Sequence, residues 1–139
     1  MSVVIDTSVW SLYVRRKRRQ LRPDQRGQVE EVRLLIREGR ALMPGPIRQE
    51  LLSGIHDDVA FERIRLLSEG IPDLPLERDD YVEAARLSNR CRDKGVSGAP
   101  IDILICAVCL RRDLPVFSAD ADFDRFESLL RIRRHRPTR

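Results

Sequence analysis

An α/β fold, a three-layer α/β/α sandwich around a short parallel sheet, is predicted by three observations. Short apolar runs of strand length, "SVVID", "ALM" and "LPVFS", are spread along the chain. Between them lie segments with apolar residues three and four apart, the spacing of helices. One of these, residues 101–112, is apolar almost all round, which places it at the centre of the structure. Strands alternating with helices build a parallel sheet covered on both faces.

The elements follow in order. "SVVID" is a strand ending at Asp6, and Thr7 or Ser8 suits the cap of the helix that follows. Residues 25–38 place Val29, Val32, Leu35 and Ile36 at helical spacing, and Gly39 stops that helix. "ALM" is the second strand. "PGP" at 44–46 breaks the chain and starts the helix "IRQELLSGI". Residues 57–69 form a further helix with Val59, Ile64 and Leu67 on one side. "IPDLPLE" is irregular. Residues 79–93 are a helix with Val82, Ala85 and Leu87 inward, closed by Gly95. "VSGAP" is a loop into the central helix. "LPVFS" is a strand, "DADFDRFESL" a short helix, and "LRIRR" a last edge strand. No repeat or linker divides the 139 residues, so residues 1–139 read as one domain.

Composition narrows the function. Charged residues make up 35% of the chain and the net charge is +4, which suits a polyanionic partner. Arginine supplies nearly all the positive charge, since the only lysines are Lys17 and Lys94. Three cysteines, an odd number, exclude a closed disulfide framework. Cys106 and Cys109 form a C-x-x-C inside the apolar helix, without a second pair or a nearby histidine, and read as buried thiols. No stretch reaches transmembrane length and the start of the chain carries no basic leader. A reducing cytoplasm is the expected location.

The carboxylates carry the chemistry. Ligands of open parallel sheets gather beyond the carboxyl ends of the strands. Asp6 ends the first strand, and Asp120 lies just past "VFS". Asp102 falls in the first turn of the central helix, and Glu50 in the first turns after "PGP". Taken singly, Asp102 suits a helix dipole and Glu50 a solvated helix face. Taken together, four anions in one cleft repel, at about 4 kcal/mol for a pair 4 Å apart at an effective dielectric near 20. Such a cluster needs protons or a divalent cation. Hard oxygen donors without histidine or cysteine point to Mg²⁺ or Mn²⁺. In "VFSADADF", Asp120 completes the cradle, while Asp122 caps the next helix, holds a second metal, or does both.

Four blocks, "VVIDTSVW", "PGPIRQELLSG", "GAPIDILICAV" and "FSADADF", resemble the signature blocks of PIN-domain nucleases. The small size and the E-L-L-x-G form resemble the VapC toxins of VapBC toxin–antitoxin systems. Carried over block by block, the resemblance implies metal ligation and catalysis by Asp6, Glu50, Asp102 and Asp120, with Asp122 at a second-metal position. Thr7 and Ser8 match the hydroxyl pair after the first aspartate, and Ser8 is the better placed to orient a carboxylate. Ser118 stands where threonine is usual and keeps the hydroxyl. The resemblance further implies a metal-dependent endoribonuclease that leaves 5′-phosphate and 3′-hydroxyl ends. It also implies a homodimer that buries its first helices, and a cognate antitoxin that blocks the acidic pocket. Two other readings are a HAD-like phosphatase and a non-catalytic PIN-like binding module. The first needs D-x-D at the first strand, where this chain has D-T-S; the second is disfavoured by the retention of all four acids.

Three further features remain. His56 and His135 have no partner for metal-independent chemistry and read as solvated. The basic run Arg15, Arg16, Lys17, Arg18 and Arg19 reads as a solvated face, a phosphate-tracking edge of the cleft, or a surface for an acidic antitoxin segment. Trp10 and Tyr13, three apart on the first helix, read as core or dimer packing rather than a base-stacking platform.

Overall fold

The computed structural model describes residues 1–15 and 17–137. Arg16, Thr138 and Arg139 lie outside the described residues, as do the side chains of Arg15 and Arg18.

The sheet has three parallel strands: β1 (Val3–Ile5), β2 (Ala41–Leu42) and β3 (Val116–Phe117). Their order is β2-β1-β3, with Val3 opposite Ala41 and Val4 opposite Val116. The first and last strands are therefore neighbours, as a shared acidic cleft requires. The Asp6 N–H donates to the Phe117 carbonyl at 2.8 Å, so the pairing runs to the last residue before the first helix. All of β1 is fully buried, which explains the unbroken apolar run.

Among the described residues, seven helices surround the sheet: α1 (Thr7–Arg15), α2 (Pro23–Arg37), α3 (Gly45–Leu52), α4 (Asp58–Glu69), α5 (Arg78–Asp93), α6 (Pro100–Arg112) and α7 (Asp122–Leu130). A 3₁₀ turn, Arg18–Gln20, follows α1. The helices α1 to α4 pack on one another in succession about α1 and α3, and α5 packs along α6. This is the α/β/α arrangement that the alternation predicts. Pro23 opens α2 two residues earlier than the apolar spacing suggests, since its missing N–H costs nothing at a helix start. Beyond α2, Gly39 takes φ +68°, where a side chain would strain the turn into β2. The central helix is α6, with Ile103 and Ile105–Cys109 buried. Cys91, Cys106 and Cys109 are free, buried thiols, and burial raises all three, Cys109 to about 12. No described helix is long and apolar enough to cross a membrane. Trp10 is fully buried and meets Tyr13 edge to face at 5.9 Å, a core pair.

Tertiary contacts override the sequence periodicity in four places. Val59 is 78% exposed rather than inward. It lies five residues from the buried Ile64, about 140° round the helix. The phase of α4 is held by Arg48, which donates to the carbonyls of Ser68 (2.6 Å) and Ile71 (3.1 Å). On α5, Val82 and Ala85 are exposed, and Asp80, Leu87 and Cys91 are buried. Asp80 selects that face. Its carboxylate accepts from Arg111 at 2.7 Å and from Arg112 at 2.7 and 2.9 Å, while completely buried. The edge strand expected at "LRIRR" reduces to one parallel bridge, Val116 to Arg134, because β3 offers only a two-residue edge. Finally, His135 is not solvated. Its Nε2 lies 2.6 Å from the Glu31 carboxylate, and its ring meets Phe117 edge to face. His56 is exposed.

Asp80 yields a prediction. Burial opposes its ionisation, but hydrogen bonds from Arg112, the Glu77 backbone and Arg111 outweigh it and hold the carboxyl far below its ordinary value. Its contribution is therefore complete above pH about 4 and is lost as pH falls below that. Asp80→Ala leaves two arginines facing a void and should destabilise by about 3 kcal/mol at pH 7. The difference from wild type should shrink towards pH 3. Urea denaturation at both pH values checks this, and a pH-independent difference contradicts it.

Candidate metal centre

The carboxyl ends of β1 and β3 open onto a cleft of about 510 Å³. Asp6, Glu50, Asp102 and Asp120 all line it, together with Thr7 and Ser8. Each acid arrives from a different element. Asp6 leaves β1, Glu50 rides on α3, Asp102 is in the first turn of α6, and Asp120 follows β3.

Hydroxyl groups set these carboxylates. The Asp6 Oδ2 accepts from Ser8 Oγ (2.7 Å), Ser118 Oγ (3.0 Å) and the Ser8 N–H (3.4 Å). Both hydroxyls also accept backbone N–H groups, Ser8 from Ala119 and Ser118 from Asp120. The loop after β3 is thereby clamped to the start of α1. Asp6 Oδ1 has no protein donor among the described residues. Thr7 Oγ1 donates to Glu50 at 2.7 Å, joining α1 to α3. Neither Thr7 nor Ser8 serves as a simple helix cap: both hydroxyls are spent on acids. Ser118 keeps the local hydrogen bond expected of the hydroxyl at its position.

Asp122 behaves differently from Asp120. Asp120 Oδ1 accepts the Asp122 N–H at 2.9 Å, so the capping contact belongs to Asp120. Asp122 opens α7 and pairs with Arg125, outside the cleft lining. Even so, one oxygen each of Asp102, Asp120 and Asp122 lie within 4.8 Å of one another. Asp6 and Glu50 are not part of that tight triplet, though both line the cleft with Asp102 and Asp120. The sequence passed over Gln49, Ser53, Ala99 and Ile101, which also line it. For Gln49 and Ser53 the signal is their place beside Glu50 on α3 and just beyond it.

A single group takes the electrostatic load. Asp102 receives no hydrogen bond among the described residues, and its carboxyl is pushed up to about 7. Burial is the main cause, followed by Asp6, Asp120, Glu50 and Asp122 in that order. The other four acids therefore all act on Asp102.

Residues 3–129 match the PIN-domain family. The chain belongs to that family. It is 34% identical over 125 residues to Ribonuclease VapC11 of Mycobacterium tuberculosis, covering 88% of this chain and 89% of the relative. In fold it is similar to VapBC2 from Rickettsia felis bound to a DNA fragment from their promoter, with a TM-score of 0.76 and 12% identity over 97% of this chain and 98% of the other. It is likewise similar to DNA-bound VapBC from Salmonella typhimurium, with a TM-score of 0.72 and 17% identity over 97% of both chains. The donor set of this PIN domain is all oxygen, with both histidines elsewhere, and it suits a hard divalent cation.

Asp102 makes the cluster testable without activity. In chelator, its raised pKa means the folded state keeps a proton that the unfolded chain releases near pH 4. Stability therefore falls as pH rises from about 4 through 7. Asp102→Asn should flatten that decline, and Mn²⁺ at pH 8 should raise the melting temperature of wild type but not of the variant. Thermal scans from pH 5 to 8 decide it; identical profiles for the two proteins refute the assignment.

Proposed function

We propose that this PIN domain is a metal-dependent endoribonuclease and the toxin of a toxin–antitoxin pair. The observation that carries the reading is the convergence of Asp6, Glu50, Asp102 and Asp120 on one cleft. It is supported by the likeness to a relative named as a ribonuclease. Asp6, Glu50, Asp102 and Asp120 would hold Mg²⁺, or Mn²⁺ in its place, with Asp122 at the margin for a second ion. When bound, the ion supplies positive charge against phosphodiester oxygens and lowers the pKa of water.

The chain's own residues do the rest. Ser8 and Ser118 hold Asp6 by one oxygen, which leaves the other for the cleft. Thr7 holds Glu50. These contacts fix two carboxylates before substrate arrives, and preorganisation of this kind is what positioning catalysis needs. The Ser118 hydroxyl also fixes the backbone of Asp120. Asp102, without a hydrogen bond among the described residues, is the group whose charge most depends on a cation.

The partners proposed are an RNA substrate, a cognate antitoxin of the kind present in the VapBC complexes above, and a second copy of the chain packed through α1. Lys17 and Arg19 are exposed and suit phosphate tracking beside that helix. Free buried thiols suit the reducing cytoplasm.

Cleavage of single-stranded RNA tests the reading. Asp6→Asn and Asp102→Asn should lower the rate by more than about a hundredfold while the fold persists. Asp120→Asn should stay inactive at every Mn²⁺ concentration, whereas Asp122→Asn should recover partly as Mn²⁺ rises. Wild-type cleavage by Asp6→Asn in Mg²⁺ would sink the proposal.

A further inference from the structure

A second cavity, of about 190 Å³, lies between the end of α5 and the loop into α6. Ser88, Arg92, Ser97 and Gly98 line it, with Pro100 and Ile103. At about 30 Å³ per water it has room for a hydrated phosphate. Its position matters. Ala99 and Ile101 face the acidic cleft, while Gly98 and Pro100 face this cavity. The stretch 98–101 is thus one wall shared by two cavities, a single chain thickness apart.

The wall is firmly seated. A Cβ on Gly98 would lie 2.7 Å from Ile103 Cδ1 and 3.0 Å from Phe126, so only glycine lets the loop settle this close to the core. The polar groups around the cavity are unused. Arg92 and the hydroxyls of Ser88 and Ser97 have no side-chain partner among the described residues. Nor do Arg90 and Lys94, on the same helix end, have an ion-pair partner there. Asp93 is the one acid in that stretch and pairs with none of them. Elsewhere most arginines are occupied, as with Arg65 on Glu62, Arg112 on Asp80 and Arg134 on Asp124. Arg92 beside the hydroxyls of Ser88 and Ser97, none with a side-chain partner among the described residues, lies across one wall from an anionic cleft and makes a site for an anion that is covalently continuous with whatever occupies the cleft.

We propose that this cavity is a phosphate subsite for the substrate strand, flanking the bond to be cut, with Arg92 as its cationic ligand and Ser97 as a hydroxyl donor. It rests on the ribonuclease reading for the identity of the strand, and extends it to where that strand runs. RNA leaves the acidic cleft over Ala99, and the backbone phosphates on that side of the cut meet α5. Arg92 then adds to affinity and register and leaves the chemical step alone.

The experiment is binding of a labelled single-stranded oligoribonucleotide to the full chain in EDTA, across a salt series. Arg92→Gln should weaken binding about tenfold and reduce the slope of log affinity against log salt by about 0.7, one single-strand phosphate contact. Ser97→Asp, which puts an anion in the cavity, should weaken it further. Arg37→Gln removes an exposed cation at the opposite end of the sheet and should change neither quantity. In Mg²⁺, Arg92→Gln should raise KM and keep kcat. Equal affinity and slope for Arg92→Gln and wild type overturn the subsite and leave these cations as partners of the α5 dipole. Arg92-dependent binding by a wild-type protein that cuts no RNA overturns the ribonuclease reading instead and keeps the subsite. A wild type that binds no RNA overturns both.

Discussion

Asp6 sits where β1 stops, and its carboxylate is the point at which three parts of the chain are joined. Ser8 reaches it from α1 and Ser118 from the end of β3. Each hydroxyl then takes a backbone N–H from the loop after β3, which fixes where Asp120 lies. An ionised carboxylate only 4% exposed would be costly without such donors. The hydrogen bonds make its burial tolerable, and in doing so they set the mouth of the cleft.

The other acids are compensated unequally. Glu50 has the Thr7 hydroxyl and Asp120 a backbone N–H, but Asp102 has no donor among the described residues. Burial first, and then the repulsion of the group, push the Asp102 carboxyl up to about 7. A cluster that satisfies its outer members and leaves the one on the central helix without a donor among the described residues has the chemistry that suits a hard cation.

Arginine divides between structure and function by burial. Arg48 and Arg134 donate to backbone carbonyls, and Arg111 and Arg112 neutralise the buried Asp80. These contacts lock α4, the tail and α5 to the layers beneath them. The +4 excess is thus a poor guide to nucleic-acid contact until the paired arginines are set aside. What then remains along α5 is a short group at one helix end, beside the cleft.

The sequence by itself determined the three strands of the sheet, the stops at Gly39 and Gly95, the central helix and the acids at the ends of elements. These are local facts: periodicity marks an element, and Asp6 or Asp102 is adjacent in the chain to the element that presents it. That β1 and β3 are neighbours, which a shared cleft for their aspartates requires, came only from the sheet order. The inward faces of α4 and α5 were not legible, since Asp80 is polar by composition and buried only through two arginines more than thirty residues away. Nor was the burial of His135, whose acid partner lies 104 positions earlier. The same distance hides the choice of Glu50 by Thr7, 43 residues apart, and of Asp6 by Ser118, 112 apart. Strands of two or three residues hold little register information, so only packing of the whole chain decides which hydroxyl meets which carboxylate.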